Sequence, residues 1–141
     1  MQKQGKTVQI ASFIGHVATT FQAFPALVVV PNSTITNWVR EFERWTPTLR
    51  VVPFHGEAKA REVIKKYELN HDFHVLVATY ETLLNSRDFT SVFRAHSPWK
   101  VGIALALNPV NIRVRFLLLM RVSDVRDREL YLPFQAFSFS R

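Results

Sequence analysis

At 141 residues the chain predicts a single domain, and 48% apolar residues with 12 Phe and 3 Trp against 4 Gly supply a packed core and exclude disorder throughout. The formal charge of +7 and the pI near 10.3 favour a polyanionic partner, with nucleic acid first. The absence of cysteine excludes disulfides, thiol catalysis and Cys-based zinc sites; no signal peptide is expected, and the longest aliphatic run, "FLLLM" at 116–120, lies between Arg115 and Arg121 and is too short to span a bilayer.

In chain order, residues 7–22 place Val8, Ala11, Ile14, Ala18 and Phe21 at helical spacing. "PALVVVP" at 25–31 is a nearly continuous apolar run closed by Pro31, which predicts a strand buried on both faces, as in a parallel sheet. Residues 32–45 follow as a helix, with Ile35, Trp38, Val39, Phe42 and Trp45 on one face and Asn32 or Ser33 positioned to cap it. A short strand at 49–54, a charged amphipathic helix at 57–70, a third strand at 73–79 and a helix over 80–95 come next. A further strand is expected near 99–106. This alternation predicts an α/β fold: a parallel sheet flanked by helices, with right-handed crossovers. In such sheets ligands gather at the carboxyl ends of the strands.

The character changes after Val101. Residues 1–101 hold six Arg and six Lys, whereas residues 102–141 hold six Arg and no Lys. The chain is therefore divided into a lobe over 1–101 and a tail over 102–141.

Three stretches carry candidate chemistry. Gly5-Lys6-Thr7 matches the end of a Walker A loop, whose amides cradle phosphates while its Lys reaches the β- and γ-phosphates and its hydroxyl binds Mg²⁺. "VVVPNST" ends a strand in small polar residues just before a helix, a geometry suited to a nucleic-acid phosphate or to an ordinary helix cap. "VLVATYETLL" repeats the device with Thr79 and Tyr80. His71 and His74 have loose metal-ligand spacing, but surface or strand histidines explain them better. Arg113, Arg115, Arg121, Arg126 and Arg128 could touch DNA, although the interleaved Asp124, Asp127 and Glu129 favour a solvated face.

Taken in order, these stretches resemble the Swi/Snf-type family of helicase-like ATPases, the motors of chromatin remodelling. "GKTVQIASF" is similar to the family's motif I, "ALVVVPNSTITNWVREFERW" to motif Ia and "FHVLVATYETLL" to motif Ib. "RVVPFHGEAKAREVIKKYE" resembles the segment between them in the chromodomain-helicase-DNA-binding branch. The likeness covers about residues 5–101 and implies the N-terminal RecA-like P-loop lobe of an ATP-dependent translocase on double-stranded DNA. By that resemblance Gly5, Lys6 and Thr7 bind the ATP phosphates, with Thr7 also at Mg²⁺. Pro31, Asn32, Ser33, Thr79 and Tyr80 lie along duplex DNA, and Asn37, Trp38, Glu41 and Phe42 are structural. Nucleosomes are the implied partner, the nucleus the implied location, and no membrane is involved.

The chain also departs from the family. Lys3 stands where a Gly is expected, and the lobe is expected to be incomplete, without its first strand. After "SPWKV" the family continues into an Asp-Glu-Ala-His box, whereas here no acid occurs between Asp88 and Asp124. That box supplies the carboxylates that hold Mg²⁺ and polarise the attacking water. The change near residue 102 suggests a shifted reading frame or a read-through intron. Besides the translocase lobe, a non-catalytic lobe that binds DNA or protein weakly is the alternative; a small P-loop kinase fits less well, because it leaves motifs Ia and Ib unexplained.

Overall fold

The computed structural model describes residues 2–97, 99–105, 114–115 and 118–119, with side chains from Thr7 onward. Its elements are helix α1 (Gln2–Phe21), strand β1 (Ala26–Val30), a 3₁₀ turn (Asn32–Thr34), helix α2 (Ile35–Trp45), strand β2 (Val51–Phe54), helix α3 (Ala58–Tyr67), strand β3 (Val75–Thr79), helix α4 (Tyr80–Leu84), the short α5 (Ser86–Asp88) running into a π-helical segment (Phe89–Arg94), and strand β4 (Val101–Ala104). The strands form one parallel sheet in the order β2-β3-β1-β4. The α/β architecture read from the alternation of elements is therefore the one formed.

Strand alternation divides the core in two. Ala26, Val28 and Val30 of β1 face Ile10, Ala11 and Ile14 of α1 and Ile35, Trp38 and Phe42 of α2. Leu27 and Val29 face the opposite layer, with Leu83, Phe89, Val92, Phe93 and Trp99. β1 and β3 are buried at every position, as strands covered on both faces must be. β2 alternates half-buried and buried residues, as befits an edge strand carrying Pro53. Each large side chain such as Phe42, fully buried, contributes about 1.5–3 kcal/mol by leaving water.

The helices differ from the sequence expectation in three places. α1 begins at Gln2, so Gly5–Thr7 lies within helix rather than at its start. No side chain caps the turn before α2; instead the Thr34 hydroxyl donates to the Pro31 carbonyl at 2.9 Å. The single helix expected over 80–95 is broken at Asn85, which is extended at ψ 122° and whose side-chain oxygen accepts from the Asp88 amide at 3.0 Å, capping a new start.

Arg115 and Leu119 pack back onto the lobe. Leu119 is 1% exposed within the second core, and its carbonyl accepts from the Trp99 amide at 3.1 Å and the Ser97 hydroxyl at 3.2 Å. Arg115 lies over the Phe89 ring at 4.9 Å. Arg113, Arg121, Arg126 and Arg128 lie outside the described residues.

Candidate functional site

The carboxyl ends of β1 and β3 meet because the strands are neighbours in register, with Val30 opposite Thr79. Directly after Val30 the chain turns at Pro31 (φ −64°, ψ 146°) into the 3₁₀ turn, and from there into the eleven-residue α2. Asn32 and Ser33 are exposed at this turn. The Thr34 amide bonds to the Pro31 carbonyl at 3.0 Å, and the amides of Asn32 and Ser33 lie before it at the start of the turn. Two exposed polar side chains and two leading amides at the positive end of a helix suit an anion.

Thr79 is used differently. It is 2% exposed, and its hydroxyl accepts from the Thr82 amide at 3.3 Å while the Thr82 hydroxyl accepts from the Thr79 amide at 3.3 Å. This reciprocal cap starts α4 and leaves the Thr79 side chain facing inward. Tyr80 packs its ring against the core, and its buried hydroxyl has no hydrogen-bond partner among the described residues. Burial pushes its phenol up from 10.0 to about 12. The strand ends thus bring all five residues to one edge, with Asn32 and Ser33 presented outward and Thr79 turned in.

Gly5, Lys6 and Thr7 belong to the amino-terminal turns of α1, and Thr7 is 4% exposed. In a helix beginning at Gln2, the amides from Lys6 onward bond to carbonyls four residues back. In this conformation the amides of Lys6 and Thr7 are taken up within the helix. At the end of β4, Ala104 and Leu105 supply no carboxylate for a metal. Trp38, Glu41 and Phe42 are buried as structural residues of α2, and Glu41 accepts from the Trp45 indole at 2.9 Å.

His74 accepts the Arg50 amide at 2.9 Å through Nδ1 and packs edge-on to Phe24, which accounts for it without a metal. No cluster of three or more metal-ligating side chains occurs among the described residues. No described helix is long and apolar enough to cross a membrane.

One cluster escaped sequence reasoning. Asp88, 1% exposed, accepts from Arg61 at 2.7 Å and Lys65 at 2.9 Å, which clamps α3 to α5. The only signal was the i, i+4 spacing of two cations on α3, and nothing local tied them to an acid 27 residues beyond Arg61.

The SNF2-related domain model matches residues 4–103. Over 92 residues the chain is 39% identical to the Xenopus tropicalis SWI/SNF-related matrix-associated actin-dependent regulator of chromatin subfamily A containing DEAD/H box 1, covering 64% of this chain and 9% of that protein. It is 42% identical over 90 residues to the ATP-dependent helicase fft1 of Schizosaccharomyces pombe, covering 64% of this chain and 10% of that protein. It is also similar in structure to the Sulfolobus solfataricus SWI2/SNF2 ATPase core in complex with dsDNA, with a TM-score of 0.52 and 25% identity, over 80% of this chain and 27% of that one. The chain thus spans about a tenth of the length of these curated relatives and about a quarter of the solved core.

Proposed function

The chain belongs to the SNF2-related domain family, and on that premise we propose that it carries the N-terminal RecA-like lobe of an ATP-dependent, double-stranded-DNA translocase of the chromatin-remodelling type, acting on nucleosomes in the nucleus. The observation that carries this reading is the pairing of Val30 with Thr79, which joins the two strand ends into one edge with Asn32 and Ser33 exposed on it. Pro31, Asn32 and Ser33 contact the DNA backbone with side chains and amides, while Thr79 and Tyr80 build the neighbouring wall.

Gly5, Lys6 and Thr7 are the residues assigned to the ATP phosphates, and Thr7 to Mg²⁺. In a complete motor, hydrolysis of ATP held with Mg²⁺ would supply the free energy of movement along DNA. Binding there requires the first turn of α1 to release the amides it holds. No acid stands between Asp88 and Asp124, so this polypeptide binds duplex DNA without hydrolysing ATP. That matches a non-catalytic lobe.

Fluorescence anisotropy with a short labelled duplex tests the reading. Duplex affinity is expected to fall steeply as salt rises, because phosphate contacts release counterions, and to drop when Asn32 and Ser33 are both changed to Ala. Salt-independent binding, or no binding, sinks it. DNA-stimulated ATP turnover is expected at background, and robust turnover abolished by Lys6→Ala would overturn the non-catalytic part.

A further inference from the structure

The edge strand offers a second place on the same face. A groove of about 350 Å³ runs between α2 and β2. Ile35 and Pro53 lie among its apolar residues, while Thr36, Arg40 and His55 supply donors. Phe54 pairs with Ala78, so His55 stands level with Thr79, and Thr79 stands level with Val30. Three strand ends therefore lie side by side, and the groove continues the edge that carries Asn32 and Ser33.

We infer that Arg40, with His55 and Thr36, forms a second phosphate-binding position for duplex DNA on the edge strand, an inference that rests on the reading of this edge as a DNA interface. Arg40 is exposed and forms no ion pair among the described residues, so its guanidinium is available. A planar guanidinium suits the paired oxygens of a phosphate, and Thr and His are ordinary donors to the sugar-phosphate backbone. Two strand spacings separate β2 from β1, about 10 Å at roughly 4.8 Å each. That is close to three charge steps along one DNA strand at about 3.4 Å, so one strand crossing the edge can reach the His55 end of the groove, and Arg40 lies about 7.5 Å along α2 from Ile35 at roughly 1.5 Å per residue. Pro53 lacks an amide proton, which disfavours addition of a peptide strand at this edge and leaves recognition to side chains. Glu43 also lines the groove and opposes an anion there; its removal therefore has the opposite sign.

The test is anisotropy of the full chain with a short fluorescein-labelled duplex across a salt series, each variant first checked for native circular dichroism. Arg40→Gln is expected to weaken binding by about 3–10-fold and to lower the slope of log affinity against log salt by about one. His55→Gln is expected to weaken it by about 2–5-fold, and Glu43→Gln to tighten it by about 2–3-fold. If the wild type binds and the Asn32/Ser33 double variant loses affinity while Arg40→Gln and Glu43→Gln change nothing, this position is refuted and the DNA reading stands. If the wild type does not bind the duplex, both fall. A polyglutamate peptide that displaces the duplex at equal charge concentration would mark the groove as a peptide site and overturn the inference.

Discussion

Gly15 of α1 and Thr46 at the end of α2 approach so closely that a Cβ on Gly15 would stand 2.5 Å from Thr46 Cγ2. Thr46 cannot easily yield, because it is buried and its hydroxyl donates to the Phe42 carbonyl at 2.7 Å. Gly15→Ala should therefore cost about 1–3 kcal/mol through overpacking, measured by urea unfolding. Adding Thr46→Ser removes the offending methyl, keeps the hydroxyl and should restore most of the loss. Unchanged stability in Gly15→Ala would mean that the helices do not cross here.

Asp88 holds Arg61 and Lys65 from a position that is 1% exposed. Asp88→Ala leaves two largely buried cations without their acid, and a loss of about 3–5 kcal/mol is expected. Glu62→Gln removes only the more exposed partner of Lys65 and should cost under about 0.5 kcal/mol. Equal effects from the two substitutions would contradict the clamp.

Tyr80 predicts alkaline behaviour. Its phenol is raised to about 12 by burial, so the folded form holds the proton more tightly than the unfolded chain does. The contribution of the neutral ring is complete below pH 10 and is lost as pH rises from there through about 12. Tyr80→Phe should remove that part of the alkaline loss. At neutral pH it should cost little, since the hydroxyl has no partner among the described residues. Unfolding midpoints compared from neutral pH upward decide it; parallel curves for the two proteins would refute it.

His74→Ala deprives the Arg50 amide of its acceptor beside β2 and β3, and a cost of about 1–3 kcal/mol is expected. Added zinc should leave the wild-type melting temperature unchanged. Zinc-dependent stabilisation that vanishes in His71→Ala would restore the metal reading.

The sheet was legible because "ALVVV" and "VLVAT" are apolar at every position, a pattern that suits burial on both faces. α2 was legible through Ile35, Trp38 and Phe42. Periodicity failed for Trp45, which is 46% exposed, with its indole bonded to Glu41 and lying under the Arg44 guanidinium. It also failed at Asn85, where one side-chain bond restarts the helix. At the site, the exposure of Asn32 and Ser33 followed from their place after a buried strand. The inward turn of Thr79 did not, because the hydroxyl that can meet a phosphate can equally cap a helix, and only the neighbouring Thr82 settles which it does.

Leu119 has a consequence for how such a lobe tolerates change. It comes from a stretch whose composition departs from everything before it, yet it fills the same cluster as Leu27, Leu76 and Phe93. Aliphatic volume of about the right size is what a core of this kind demands. A single well-placed leucine from a stretch of different composition can thus serve as filling. Truncating the chain before that residue is then not the trimming of an ornament but the opening of a hole.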